Sequence, residues 1–254
     1  MTTNFYNKVA KKFGNYHTDA QYIKEYQNGD PEEVFKNKLL ELSGNDEMAL
    51  DIGCADGRFT LSIATHFQKI TAIDLSTDML ESARNLQKKM GIENVSFEEQ
   101  NASKTTFAKD SFDLVYSRRG PTPFSEFHRL LKPRGHFVGI NIGEKDCQAI
   151  KEIFGRGQGY GEWGDSKLEK DRGIIMNSGF EIVFAQNYFY NEFHASYEDL
   201  DLFLQGVPIF EDFDSKKDNK LLSEYVAEFK TENGIKLSRH RIVIVARKLK
   251  SSKE

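Results

Sequence analysis

Residues 49–58 and Asp74 are the part of this sequence most capable of chemistry. Residues 49–58 read as a short apolar strand that breaks at Gly53 into a glycine-rich turn and leads directly into a helix. Turns of this kind bring backbone N–H groups close to a bound ligand. Asp74 ends the next apolar strand, 21 residues after Gly53, where a nucleotide-type ligand presents its ribose diol. The two features predict a ligand site at the ends of two neighbouring strands.

The composition of the turn indicates which ligand fits it. A dinucleotide site places glycine at the first, third and sixth positions, but this turn has Gly53, Ala55 and Arg58 there. The sixth glycine allows the close helix–strand packing on which a dinucleotide site depends. Asp56 adds a negative charge where a pyrophosphate would lie. S-adenosylmethionine (SAM) suits the turn better, because it carries an ammonium group, a sulfonium and a ribose but no phosphate.

The elements that must position these residues alternate along the chain. The sequence predicts seven strands, at residues 48–52, 69–74, 95–98, 112–116, 136–142, 180–188 and 240–247. Short apolar strands that alternate with helices predict an α/β fold with a mostly parallel sheet, covered on both faces. Right-handed crossovers bring the carboxyl ends of the parallel strands to one edge, where ligands bind. Residues 1–44 are predicted to be helical, and residues 190–238 to form an insertion with two helices.

The composition limits the class of protein. The chain has 254 residues, 39% of them hydrophobic and 29% charged, with a net charge of −4, so a globular α/β protein is expected and nucleic acid is a disfavoured partner. The two cysteines, Cys54 and Cys147, form neither a disulfide framework nor a metal-ligand spacing, and no metal is expected. Because neither a secretory signal nor a membrane-spanning run is visible, we expect a cytoplasmic protein.

Four blocks of sequence carry a resemblance to a known family. They lie, in order, at residues 51–57, 72–80, 112–116 and 130–135, and together they resemble class I SAM-dependent methyltransferases over about residues 45–145. The chain departs from the family pattern at Ala55, in place of the middle glycine, and at Arg134, in place of the first glycine of a Lys-Pro-Gly-Gly turn. Neither departure removes a group that the family uses to hold SAM.

The resemblance implies a Rossmann-like, seven-stranded sheet whose last strand is antiparallel, and a division of the chain. Residues 1–44 would form an N-terminal helical lid and residues 45–189 the SAM-binding α/β core. Residues 190–238 would form a small cap over the acceptor, and residues 239–254 the last core strand and tail. The aromatic residues between 188 and 213 would then line the acceptor site or pack the core of the cap.

The resemblance also implies roles around the sugar and the methionine part of SAM. The turn at Gly53 and Ala55 would pass beneath the methionine part, and Asp51 would orient that turn or meet the ammonium group through water. Asp74 would accept hydrogen bonds from both ribose hydroxyls. Ser117, just past the fourth strand, would border the reacting methyl group.

On the adenine side, the resemblance implies that Leu75 and Met79 pack against the ring. The family often has an aspartate after the third strand that faces the adenine amino group, and Asn101 with Ala102 occupies that place here. An asparagine can still accept this hydrogen bond through its amide oxygen.

Catalysis of methyl transfer makes few demands on side chains. A sulfonium is already an activated electrophile, so proximity, alignment and the exclusion of water do much of the work. A general base is needed only for a poorly nucleophilic acceptor. His17 and His194 flank the predicted pocket from the lid and the cap and are weak candidates, whereas His128 is expected at the surface. The sequence assigns no catalytic residue.

Candidate acceptor contacts follow the fourth strand and the fifth. Arg118 and Arg119 either bind an anionic group of the acceptor or form a structural salt bridge. Arg156 and Tyr160 lie in a glycine-rich loop at residues 155–164, which either binds the acceptor or is simply flexible. The sequence leaves these alternatives open.

The resulting hypothesis is methyl transfer from SAM to an oxygen, nitrogen or carbon atom of a small molecule. The alternatives are methylation of an RNA base, binding of SAM without transfer, and an NAD-dependent oxidoreductase. RNA binding would show a steep dependence on salt, and stabilisation by NAD rather than SAM would favour the oxidoreductase. The acceptor, the methylated atom and the oligomeric state are not readable from the sequence.

Overall fold

The structure is a computed structural model that describes residues 3–13 and 18–250. The chain divides into two compact units. The larger unit comprises Pro31–Asn141, Leu168–Gln186 and the residues from Ile242 onward. The smaller unit comprises the residues up to Asp30, together with Ile142–Lys167 and Asn187–Arg241.

The larger unit is built on parallel strands. β2 (Met48–Ile52) lies between β3 (Lys69–Asp74) and β5 (Phe112–Arg118), β4 (Val95–Glu99) pairs with β3, and β6 (Leu131–Ile142) pairs with β5. All four of these pairings are parallel. With β7 (Phe180–His194) and β9 (Gly234–Lys248), the strand order is β7-β9-β6-β5-β2-β3-β4. The predicted α/β class and the mostly parallel sheet are confirmed.

Helices connect the strands of the larger unit. They are α2 (Pro31–Leu40), α3 (Arg58–Ile63) with a 3₁₀ turn at Ala64–His66, α4 (Thr77–Met90), α5 (Phe124–Leu130) and α7 (Lys167–Asn177). α2 begins at Pro31 with two acids in its first turn, where they complement the helix dipole. α4 begins after Ser76, whose Oγ accepts a hydrogen bond from Met79 N, and ends at Gly91.

The core of the larger unit joins the sheet to the helices. Leu50, Val115 and Ile244 are fully buried on the strands, and the ring of Phe127 on α5 stacks on that of Phe137 on β6, with centroids 5.2 Å apart. Apolar burial of this kind is the dominant stabilising contribution in folding. It fixes the carboxyl ends of β2, β3 and β5, which carry the predicted site residues.

The smaller unit contains helices α1 (Thr3–Phe13), α6 (Gln148–Phe154), α8 (Tyr197–Gly206) and α9 (Asn219–Phe229). α8 and α9 are the two helices predicted in the insertion, and Ser196 caps α8 by accepting a hydrogen bond from Asp199 N. The stacked rings of Phe154 and Phe210, 4.4 Å apart, lie in the core of this unit. Residues 190–194, predicted as the start of the insertion, instead continue β7.

Two strands were not predicted, so the sheet has nine strands within the described residues rather than seven. β1 (Tyr22–Tyr26) interrupts the stretch predicted to be wholly helical, and β8 (Lys230–Thr231) pairs with β9. β1 pairs antiparallel with β7, and the rings of Tyr26 and Tyr190 lie 5.3 Å apart across the pair. The strand therefore depends on a partner far away in sequence, which a local pattern does not reveal.

In the part of the chain that the structure describes, no helix is both long enough and apolar enough to cross a bilayer.

Candidate cofactor site

The glycine turn after β2 is fixed to the end of β3. Gly53 N and Cys54 N both donate hydrogen bonds to Ile73 O, at 2.8 and 3.1 Å. Gly53 has a φ of +75°, which favours glycine, and a Cβ there would lie 3.5 Å from Gly120 Cα in the loop after β5. The ends of β2, β3 and β5 are thus held together within the larger unit.

Asp74 joins the end of β3 to the same turn. Its Oδ2 accepts a hydrogen bond from Ala55 N at 3.0 Å, and its Oδ1 accepts one from Ser76 N at 2.9 Å. A carboxylate has about four lone-pair positions, so each oxygen of Asp74 keeps capacity for a further donor. The two backbone bonds orient this half-buried carboxylate, and the remaining capacity matches the two hydroxyls of a ribose diol.

Asp51 is buried behind the turn. Thr60, in the first turn of α3, donates a hydrogen bond from Oγ1 to Asp51 Oδ2 at 2.6 Å. Burial raises the pKa of Asp51 to about 6, although Thr60, the nearby Tyr116 hydroxyl and Arg118 each lower it. The Tyr116 hydroxyl is itself buried and has no partner of good hydrogen-bond geometry among the described residues. Sequence reasoning missed Thr60 and Tyr116, because only the fold brings them to Asp51.

The raised pKa of Asp51 predicts a pH dependence of stability. Its pKa in the folded state, about 6, lies above the ordinary value of 3.8. Its stabilising contribution is therefore complete below pH 3.8 and is lost as the pH rises through 6. Relative to Asp51→Asn, the wild-type free energy of unfolding should fall by up to about 3 kcal/mol between about pH 4 and pH 7. Urea unfolding of both proteins across this range measures the difference, and parallel stability curves would contradict the prediction.

The predicted adenine contacts differ in how much surface they offer. Leu75 directly follows Asp74 and is 50% exposed, which is unusual for a large apolar side chain and suits a ring packed against it. Met79 is completely buried, because its position on α4 faces the protein interior. Leu75 is thus the residue of the two that presents surface, and the contact of Met79 with an adenine stays a prediction.

The other predicted cofactor positions lie after β4 and on β5. Asn101 is exposed, and its Oδ1 accepts a hydrogen bond from Ser103 N at 2.9 Å while keeping a second lone pair. Ala102 is buried beside it. Ser117 is buried and donates from Oγ to Ile52 O at 3.3 Å, so its side chain ties β5 to β2 and only its backbone is left to border a ligand.

Gly120 is a site residue that the sequence reasoning did not single out. A Cβ there would lie 2.7 Å from Ile52 O and 2.9 Å from Ser117 Oγ. The residue before it, Arg119, has a φ of +61°, a conformation that is uncommon for residues other than glycine. The loop after β5 therefore needs a glycine to approach the end of β2 this closely.

Arg118 and Arg119 form a salt bridge within the protein, which is one of the two alternatives considered for them above. Both guanidinium groups pair with Glu32 at the start of α2, and Arg118 Nη2 lies 2.9 Å from Glu32 Oε2. Burial alone would raise the pKa of Glu32, but Arg119 and Arg118 hold it well below its usual range. The Arg118 guanidinium also lies 4.4 Å from the centroid of the Phe59 ring, a cation–π distance.

Arg156 and Tyr160 belong to the smaller unit. Arg156 pairs with Asp212 through Nε at 3.2 Å and with Asp218 through Nη2 at 2.9 Å. Tyr160 is exposed, and its ring is perpendicular to that of Trp163, with centroids 5.8 Å apart. Arg156 therefore anchors the glycine-rich loop, and Tyr160 is the residue of the two that presents its side chain at the surface.

The candidate bases are histidines that differ in their surroundings. His17 lies outside the described residues. His194 is completely buried, next to the rings of Tyr22 and Phe203, and burial lowers its pKa to about 4. His128 is half-buried on α5 and contacts the ring of Phe180. A histidine that is enclosed and has a pKa of about 4 is a weak base at neutral pH.

Part of this chain is similar in sequence to known methyltransferases. A family model described as a methyltransferase domain matches residues 43–171. An uncharacterized methyltransferase of Bacillus subtilis, YcgJ, is 31% identical over 103 residues, which cover 38% of this chain and 41% of that protein. The demethylmenaquinone methyltransferase of Lactococcus lactis is 31% identical over 115 residues, covering 41% of this chain and 46% of the relative. The matched part thus spans less than half the length of each relative.

Solved structures share the fold. A putative methyltransferase from Bacillus halodurans superposes with a TM-score of 0.65 at 19% identity, over 87% of this chain and 100% of that chain. The sequence blocks, the strand order and the matched family model agree. This chain belongs to the class I SAM-dependent methyltransferase family.

Proposed function

We propose that this chain transfers a methyl group from SAM to an oxygen, nitrogen or carbon atom of a small molecule. The observation that carries the proposal is the placement of Asp74. Its carboxylate stands at the end of β3, is oriented by Ala55 N and Ser76 N, and keeps lone pairs for a ribose diol.

The charges around the turn fit SAM better than a dinucleotide. Three carboxylates, those of Asp51, Asp56 and Asp74, lie in or beside the turn, and the half-exposed Arg58 pairs with Asp56 at 3.3 Å. Carboxylates attract the ammonium and sulfonium groups of SAM and repel a pyrophosphate. Gly53, Ala55 and Asp51 would hold the amino-acid end, Asp74 the ribose, and Leu75 with Asn101 the adenine.

SAM, when bound, supplies a methyl group on a positively charged sulfur that is already activated for transfer. The residues of the chain need to position and enclose this group rather than activate it. The buried Asp51–Thr60 pair and the hydrogen bonds from the turn to Ile73 O give the site a fixed backbone.

A small-molecule acceptor is supported by two observations. The net charge of −4 gives no general attraction to nucleic acid. The Lactococcus relative is named for methylation of demethylmenaquinone, a small molecule. The expectation of a cytoplasmic protein remains part of this proposal.

Calorimetric titration of the full chain with SAM, S-adenosylhomocysteine and NAD tests the proposal. SAM and S-adenosylhomocysteine are expected to bind with dissociation constants in the micromolar range, about −8 kcal/mol, and NAD is not expected to bind. Binding of NAD in preference to SAM would contradict the cofactor assignment. Binding of SAM without release of S-adenosylhomocysteine on any small molecule of a broad acceptor panel would indicate a SAM-binding protein without transfer.

A further inference from the structure

The smaller unit contains a buried network of charged side chains that the proposed cofactor site does not use. We name it the basic cluster, and its members are Asp146, Lys151, Glu192, Arg239 and Arg241. All five side chains are buried. Charged residues are rarely buried unless they are paired, so the pairing within the cluster decides what it can bind.

Asp146 is the centre of the cluster. Its Oδ1 accepts hydrogen bonds from Arg239 Nε at 3.0 Å and Arg241 Nη1 at 2.6 Å, and also from His240 N at 3.0 Å. Arg239 also donates from Nη1 to Glu192 Oε2 at 2.5 Å. Arg239 therefore bridges two carboxylates.

Lys151 adds a third positive charge. Its Nζ donates to the backbone oxygen of Asp146 at 2.7 Å, not to a carboxylate. The cluster thus holds three cations, Lys151, Arg239 and Arg241, against two carboxylates. The neighbouring His194 has a pKa lowered to about 4 by burial, so it is neutral at pH 7 and does not alter the sum. Burial also lowers the pKa of Lys151. Among these five side chains the cations outnumber the carboxylates by one, and a buried charge that is not compensated is costly.

Arg241 is the cation with hydrogen-bonding capacity to spare. Both of its hydrogen bonds run from Nη1, to Asp146 Oδ1 and to His240 O. The residue is only 3% exposed, and its Nε is buried with no acceptor among the described residues. Buried guanidinium N–H groups are normally satisfied, and the edge of a guanidinium that carries Nε is suited to two oxygens of one anionic group.

We infer that the basic cluster is an anion site, with Arg241 as its principal donor, for a carboxylate or phosphate group. An anion bound there would neutralise the excess charge and satisfy Arg241 Nε in one step. Arg239 and Asp146 would hold Arg241 in place, as positioning residues.

The single tryptophan of the chain provides the readout. Trp163 lies in the same unit, and the centroid of its ring is 5.9 Å from Lys151 Nζ. Its fluorescence is followed while inorganic phosphate or acetate is added to the full chain in the absence of SAM, with chloride at matched ionic strength as the reference. We expect a saturable change in the millimolar range, with phosphate if the group that the site takes is a phosphate and with acetate if it is a carboxylate.

Three variants test the assignment. Arg241→Lys keeps the charge but loses the two-pronged donor, and it should bind the anion at least about tenfold more weakly. Glu192→Gln removes a negative charge from the cluster and should bind the anion several-fold more tightly. With this second variant, the test does not depend on a single variant that could fail to fold. Arg247→Gln, on the same strand but paired with Glu181 at the surface, should match the wild type.

A response to neither anion, or an equal response in the wild type, Arg241→Lys and Glu192→Gln, would overturn the inference. Because SAM is absent throughout, this result is separate from the calorimetric test of the cofactor site. Binding of the anion without binding of SAM would support the anion site and contradict the proposed function.

Discussion

Asp74→Ala is expected to weaken the binding of SAM by a factor of about a hundred or more. In the proposed complex the carboxylate accepts hydrogen bonds from both ribose hydroxyls, and hydrogen bonds to charged groups contribute about 1.5–3 kcal/mol each. The substitution also removes the acceptor for Ala55 N and Ser76 N, which orient the turn. Calorimetric titration of the variant with SAM, under the same conditions as the wild type, gives the ratio of dissociation constants.

Two further variants separate the contact with the sugar from the effect on the turn. Asp74→Asn keeps the shape of the side chain and one acceptor oxygen, so it should bind SAM with an affinity between those of the wild type and Asp74→Ala. Glu81→Gln removes one negative charge from the exposed side of α4 and should leave the affinity unchanged. If Asp74→Ala binds SAM as tightly as Glu81→Gln, Asp74 does not hold the ribose.

The positions of Gly53 and Asp74 at the ends of neighbouring strands could be predicted because they depend on features that are local in sequence. Gly53 and its turn follow β2 directly, and Asp74 is the last residue of β3. Parallel strands then place both at one edge of the sheet without further information. The apolar alternation that predicted the seven strands of the larger unit is equally local, and their existence is confirmed.

Features that depend on distant residues could not be predicted in the same way. Glu32 lies 86 residues before Arg118, and the sequence does not show that it would pair with Arg118 and Arg119 rather than leave them for an acceptor. β1 exists through its pairing with β7. Burial of Met79 and His194 follows from the direction in which each side chain faces, which the type of residue alone does not determine.

The acceptor side is less predictable for a further physical reason. Arg156, a candidate acceptor contact, is held by Asp212 and Asp218, which lie more than fifty residues away in the sequence. The burial of Arg241 could not be predicted, because an arginine near the start of a predicted strand is ordinarily exposed. Only the hydrogen bonds around Asp146 distinguish Arg241 from an ordinary surface arginine.

Gly57→Ala is expected to be strongly destabilising. Gly57 precedes α3 with a φ of +70°, where a side chain is disfavoured by about 1–2 kcal/mol. A Cβ at this position would lie 2.7 Å from Phe97 Cζ and 2.8 Å from Ala83 Cβ, and overpacking of this kind costs about 1–3 kcal/mol. The free energy of unfolding should therefore fall by about 2–5 kcal/mol, as measured by urea unfolding monitored by circular dichroism.

Gly91→Ala is the matched control, because it separates the cost of the backbone conformation from the cost of the contact. Gly91 has a similar φ of +65° at the end of α4, but a Cβ there would meet no atom within 4 Å. Its replacement should lower the free energy of unfolding by only the backbone cost, about 1–2 kcal/mol. Equal losses in the two variants would show that the contact with Phe97 and Ala83 contributes nothing. A larger loss in Gly57→Ala would show that α4 and β4 pack against the first turn of α3, so the geometry of the glycine turn depends on residues that never touch the cofactor.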